Sequence, residues 1–300
     1  MTTARSLTPA LAFAVAAAGI GLFSVMDAFM KSLVLAMGVY NALFWRTLVS
    51  VGIGGAVWAA SRPVWPKAAV LRLHLMRGAV TAGMALLFFW GLARVPMAQA
   101  ITLTYIAPIM ALILGAVVLG ERVGARVVVA SVAALAGVLV VIWGQSREVL
   151  GPQAFAGAAA ILASAMLYAV NLVIARVQSQ AARPAEISFF QSTVVVVILA
   201  TTAPWLAEVP AAAQWPKLVI SAGLATASLL LLAWAYAHGE TGYLATTEYT
   251  SFVYAAVLGW AIFDETLSGW TIAGAGVIVT ACLYAANRRD IAQAAVEAAA

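Results

Sequence analysis

The chain has 300 residues, of which 65% are apolar and only 9% charged, with a formal net charge of +5 and a mean hydropathy of +1.02. A soluble domain of this length would have too little polar surface to cover itself, so the bilayer must be its solvent. The positive charge is scattered between apolar runs rather than gathered in a basic domain, which excludes nucleic acid as a partner.

In chain order, the apolar runs cover residues 6 to 26, 38 to 60, 72 to 93, 95 to 120, 127 to 146, 149 to 175, 187 to 207, 218 to 239, 241 to 262 and 266 to 287. Arg46 interrupts the second, basic residues open the third and Glu248 interrupts the ninth; the others are uncharged. Each is close to the ~20 residues a helix needs to cross a bilayer, and none alternates apolar with polar as a barrel strand would. The pattern predicts an all-α membrane protein with ten transmembrane helices. The 23 glycines and many alanines within the runs suit close helix approach in lipid. Cys282 is the sole cysteine, so an intramolecular disulfide is excluded. The first run, with Arg5 before it and small residues near Ala18, has the look of a cleaved signal peptide. Cleavage would remove the counterpart of the sixth run, so the segment is expected to stay.

That counterpart exists because the chain repeats itself. Residues 86 to 121 recur without a gap as residues 230 to 265. Leu86, Leu87, Trp90, Ala93 and Thr102 match Leu230, Leu231, Trp234, Ala237 and Thr246. Tyr105, Ala111, Leu114, Gly115 and Glu121 match Tyr249, Ala255, Leu258, Gly259 and Glu265. The expected organisation is a first five-helix repeat over 1–146, a second over 147–288, and a short cytoplasmic tail over 289–300. An odd number of spans per repeat inverts the second copy, placing Glu121 and Glu265 on opposite membrane faces; inverted repeats of this kind support alternating access. Threading ten spans puts both termini on one side with ten basic residues (Arg5, Arg62, Lys67, Arg72, Arg122, Arg126, Arg176, Arg183, Arg288 and Arg289), against Arg94, Arg147 and Lys217 on the other. Both termini are therefore expected in the cytoplasm of a multi-pass protein of a bacterial-type inner membrane.

In the fourth run, Thr102, Tyr105, Ile106, Ala107 and Pro108 are followed by Leu119, Gly120, Glu121 and Arg122. This pattern resembles the paired motif of the drug/metabolite transporter superfamily, in its ten-helix branch of two five-helix repeats. The second half keeps Tyr249 and Glu265 but has Phe252 in place of the proline and Asp264 in place of the glycine. The resemblance implies a secondary transporter of small metabolites, with spans one, three, four, six, eight and nine around a central cavity. Its aromatic content makes the chain most similar to bacterial aromatic amino-acid exporters, which implies export of aromatic or large apolar amino acids. A passive facilitator or channel, or an exporter of other metabolites or drugs, is the alternative.

Polar groups inside a bilayer are costly unless paired or wetted, so each one is a candidate. Gln99, Thr102 and Tyr105 sit three apart on one helix face, and Tyr243, Thr246 and Tyr249 repeat the stripe. With Trp90, Trp234 and Tyr168 they are the expected substrate-binding set, since Tyr and Trp join an apolar body to a polar tip. Asp27 and Lys31, one turn apart, either pair with each other or face a cavity. Arg46 could pair with Glu248 or a carbonyl, and Glu248 could carry a proton during transport. Pro108 should kink or loosen its helix, and Glu121 and Glu265 should each accept amides from the helix that follows. The chain has no HExxH, CxxC or phosphate-cradling glycine loop, so no catalytic residue, metal or cofactor is expected; the expected partners are a small-molecule substrate and the lipid bilayer.

Overall fold

The computed structural model describes residues 9–61, 64–119, 125–145, 153–238 and 245–286. Glu121, Arg122, Tyr243, the side chain of Thr246 and the tail over 289–300 lie outside the described residues. The regular elements of the described residues are all helices, with no strand among them. This follows from the solvent: a continuous apolar run in lipid can satisfy its backbone N–H and C=O groups only within its own helix.

The first two predicted runs form one 52-residue element, α1 (Pro9–Ala60), which is two helices joined at Gly38. Gly38 has φ 78° and ψ 159°, a left-handed value that a side chain would strain. α2 (Ala68–Leu92) leads through a short turn to α3 (Met97–Thr104) and α4 (Ile106–Leu119). These two make up the fourth predicted run, and they part at Tyr105, whose N–H bonds to the Thr102 carbonyl in a tighter turn (3.2 Å). The proline effect is visible in sequence terms, because Pro108 has no N–H to offer the Thr104 carbonyl four residues back. Next come α5 (Ala125–Gln145), α6 (Ala154–Ala181), α7 (Pro184–Ala200) with proline in its first turn, and the single turn α8 (Ala203–Leu206). α9 (Trp215–His238) follows a 3₁₀ turn, Ala212–Gln214. A second 3₁₀ segment, Ala245–Tyr249, runs into α10 (Thr250–Phe263), and α11 (Gly269–Ala286) closes the described chain.

The packing is reciprocal between the halves. The first arm of α1 lies along α9, and α6 lies along α2; α4 packs on α6, and α1 on α10. α5 packs along α11. There Gly137 and Gly274 abut so closely that a Cβ on either would stand 2.9 and 2.8 Å, respectively, from the carbonyl oxygen of the other. Such glycine crossings set helix spacing where lipid gives no hydrophobic drive for association. The second arm of α1 is tied to α7 by the Tyr40 hydroxyl, which donates to the Leu199 carbonyl (2.6 Å). Buried Met26, Met30, Leu33, Leu43, Met97, Leu103, Ile109 and Ile161 fill the centre, while Val128, Val132, Leu135 and Leu139 of α5 stay exposed, as a lipid-facing surface allows. Among the described residues, four stretches, Leu11–Ala60, Ala68–Leu92, Ala154–Ala175 and Ala212–Leu232, are long and apolar enough to cross a membrane; Pro184–Ala200, Val128–Gly144 and Gly269–Ala281 are shorter apolar helices.

Candidate functional site

One buried polar group joins three distant parts of the chain. α10 ends at Asp264, which takes the left-handed conformation (φ 53°), and the next N–H, that of Glu265, bonds back to the Gly259 carbonyl (3.1 Å). This turn throws the Glu265 side chain across the molecule. Its Oε2 accepts the N–H of Met97 (2.7 Å), the first residue of α3, while Oε1 accepts from the Lys31 ammonium. Lys31 Nζ also donates to the Val95 carbonyl (2.7 Å) and lies 5.2 Å from the centre of the Phe263 ring. α3 begins after Pro96 with no side-chain cap of its own, so Glu265 supplies the missing acceptor at the positive end of that helix. Gly259 makes room for it, since a Cβ there would overlap Oε2. The two side chains are 6% and 15% exposed, so the ion pair is shielded from water.

Three expectations are corrected here. Lys31 does not pair with Asp27, because its ammonium is spent on Glu265 and Val95. Glu265 does not hold the helix that follows it; it caps a helix of the first half. The one-turn spacing of Asp27 and Lys31 was consistent with either outcome, and the stronger acceptors lay across the interface. Asp27 has Arg46 in electrostatic reach without a direct ion pair between them, and Arg46 forms no ion pair with Glu248 among the described residues. Neither group is fully satisfied: Asp27 Oδ1 and Arg46 Nε are both buried without a hydrogen bond, and Arg46 Nη1 reaches the Met26 sulfur at 3.4 Å. Glu248 is exposed and forms no ion pair among the described residues.

Tyr105 and Tyr249, related by the repeat, meet edge to face with ring centres 5.4 Å apart. Each stands at a discontinuity, between α3 and α4 and between the 3₁₀ segment and α10. The second half breaks without a proline because hydroxyls take up its loosened carbonyls: Thr250 donates to Thr247 O (2.6 Å) and Ser251 to Glu248 O (2.5 Å). With its proton so used, Ser251 Oγ accepts from the Tyr105 hydroxyl at 2.7 Å. Tyr105→Phe is expected to lose about 1 kcal/mol of thermal stability in detergent, the worth of one such bond; an unchanged melting temperature would show that the hydroxyl does not bind the two breaks together.

The remaining candidates are dispersed. Gln99 and Thr102 are buried, and the Thr102 hydroxyl bonds its own helix at Ala98 O (2.8 Å). Trp90 lies at the end of α2 under the Arg94 guanidinium, 3.5 Å from the ring centre. Trp234, near the end of α9, packs on the Ala12, Ala16 and Ala235 cluster. Tyr168 is half-buried on α6.

That face of α6 carries a group that sequence reasoning overlooked. Ser164, Tyr168, Asn171 and Gln178 follow 4, 3 and 7 apart, and α2 answers with His74, Arg77 and Thr81 at spacings of 3 and 4. Arg77 donates through Nε to Asn171 Oδ1 (3.3 Å) and through Nη1 to Gln178 Oε1 (2.7 Å). Asn171 Nδ2 donates to Thr81 Oγ1 (2.7 Å), and Ser164 donates to Met84 O (2.8 Å). Gln178 Nε2 faces His74 Nδ1 (2.7 Å), whose Nε2 meets Glu186 Oε1 of α7 (3.0 Å). The paired periods are the signal, although the partners of His74 are 104 and 112 residues away in the chain.

The sequence model of the EamA-like transporter family matches this chain twice, at residues 8–143 and 155–286. The chain is similar to the pseudopaline exporter CntI of Pseudomonas aeruginosa, at 27% identity over 268 residues, 87% of this chain and 90% of the relative. It is also similar to a riboflavin transporter of Rhizobium johnstonii, at 27% identity over 231 residues, 75% of this chain and 72% of the relative. A solved crystal structure superposes with a TM-score of 0.60 at 18% identity, covering 93% of this chain and 97% of that one, a likeness of fold. With both matched segments falling on the helices that carry the ion pairs and the paired breaks, the chain belongs to the EamA-like transporter family.

Proposed function

We propose that this protein is a carrier of the bacterial inner membrane that exports small metabolites by alternating access, built from ten spans in two inverted repeats with both termini in the cytoplasm. The observation that carries the reading is the Lys31, Glu265 and Met97 junction, which ties α1, α3 and the α10–α11 turn together at one end of the molecule. A junction of that kind closes one end while the other is free to open, as alternating access requires. The double match of the family and the reciprocal helix packing support the repeat. Tyr105 and Tyr249 at the paired breaks, with Gln99, Thr102, Tyr168, Trp90, Trp234, Tyr243 and Thr246 around the path, form the proposed lining, and Glu248 is the exposed carboxylate available for proton coupling.

Amino acids with aromatic or large apolar side chains are the proposed solutes, from the tyrosine and tryptophan content of that set. A second solute class comes from the relatives, one named for pseudopaline and one for riboflavin. The test is counterflow in proteoliposomes loaded with phenylalanine, tryptophan or riboflavin, with and without a proton gradient. Saturable counterflow of an amino acid is expected. Flux that rises with gradient and never saturates would replace the carrier by a channel, and movement of riboflavin alone would replace the solute class.

A further inference from the structure

Of the cations within the described helices, Lys31 is paired with Glu265, and Arg46 has Asp27 in electrostatic reach. Arg77 has no carboxylate among the described residues: its partners are two neutral amides, with the Tyr168 phenol in electrostatic reach. It stands nine residues inside α2, but its partner Gln178 stands three residues before the end of α6 at Ala181, so the guanidinium lies about one helical turn from that end of the bundle. A cation held there by neutral amides alone lacks a counter-ion, and the carboxylate of a solute can supply it.

The hydrogen-bond directions show why Glu186 does not serve. Gln178 must turn its oxygen to the Arg77 donor, so its NH₂ faces His74 Nδ1. Nδ1 is then an acceptor, and the ring proton sits on Nε2, where it is donated to Glu186. The carboxylate is thereby engaged by His74, and the chain of bonds holds both amide oxygens against Arg77. Nε and Nη1 are committed. Nη2 is bonded to nothing among the described residues and is not among the buried atoms, so one arm of the fork is open and oriented.

We propose that Arg77 binds a carboxylate of the transported solute, with Asn171 and Gln178 as positioning residues. This deepens the carrier reading and rests on it. The arginine fork suits a planar two-oxygen anion, and its fixed geometry gives selectivity as well as attraction.

The test compares phenylalanine with phenylalaninamide as competitors of counterflow in phosphatidylcholine proteoliposomes. Wild type is expected to prefer the carboxylate by about tenfold or more, the scale of a charge-assisted bond. Arg77→Gln should bring that ratio to about one, while Arg77→Lys keeps part of it. Asn171→Asp places a carboxylate where an amide oxygen already accepts from Arg77, so it should fold through an internal ion pair and lose the preference equally; it decides the matter if Arg77→Gln does not fold. A wild-type ratio near one, or a folded Asn171→Asp protein that keeps the wild-type ratio, overturns the proposal. If wild type moves neither compound, the carrier reading fails for this solute class, and Arg77 is judged by thermal stabilisation with benzoate and phenylalanine. Stabilisation lost in Asn171→Asp upholds the site, and no stabilisation of wild type overturns it. The same ratio in vesicles containing anionic lipid is expected; a ratio abolished by anionic lipid would assign the fork to a headgroup and overturn the solute site.

Discussion

Replacing Lys31 with methionine is expected to cost about 3 kcal/mol of thermal stability, because it leaves the shielded Glu265 carboxylate with only the Met97 amide as a partner. Glu265→Gln alone should cost less, since its amide oxygen can still cap α3 and Lys31 keeps the Val95 carbonyl. The double variant Lys31→Met/Glu265→Gln should recover most of the loss, because breaking a buried pair from one side is worse than removing both charges. Unfolding of the four proteins in detergent gives the coupling directly. If the junction also holds one end of the carrier shut, the same ~3 kcal/mol shifts the closed-to-open ratio on the order of 100-fold. A cysteine at buried Ala98, in a Cys282→Ala background, should then react faster with a water-soluble thiol reagent in the Lys31→Met protein. A Lys31→Met protein as stable as wild type would show that the pair contributes nothing; unaltered labelling in a destabilised one would make it a brace and not a gate.

Asp27→Leu should also be damaging, by about 1 to 2 kcal/mol, since it removes the carboxylate in electrostatic reach of Arg46 while Nε already lacks a hydrogen bond. The two groups are both poorly satisfied, so replacing both by apolar side chains of similar volume should be tolerated better than either single change. Asp27→Leu/Arg46→Met is therefore expected to fold with near wild-type stability and to keep counterflow, as it should if Arg46 serves only to hold helices. A stable double variant with no counterflow would make Arg46 a solute contact. Failure of the double variant to recover would mean that each charge is held by groups other than its partner.

Much of the architecture was open to reading in one dimension. Each apolar run lacks alternation and is about one bilayer long, which dictates helices through the cost of unsatisfied backbone in lipid. Gly38 at the start of the second run, and Tyr105 shortly before Pro108, fell where the helices break, since backbone conformation at glycine and the missing proline donor are local properties. The recurrence of Tyr105 as Tyr249 named two residues that meet in space. The seam of His74, Arg77 and Thr81 against Tyr168, Asn171 and Gln178 was also legible as two matched periods, although the helices that carry it are far apart in the chain.

What the sequence by itself determined was the solvent, the helical class and the doubling of the chain, because these follow from composition, run length and self-similarity. Only the tertiary structure decided which charge faces which. Lys31 had an acid one turn away and bonded another 234 residues distant, Glu265 capped a helix of the other half, and Asp27 was left with a buried oxygen that has no hydrogen bond. In a medium of low polarity the energy of an ion pair is set by distance and shielding, and both are fixed by how helices cross, through contacts such as Gly259 against Glu265 that no spacing along the chain encodes.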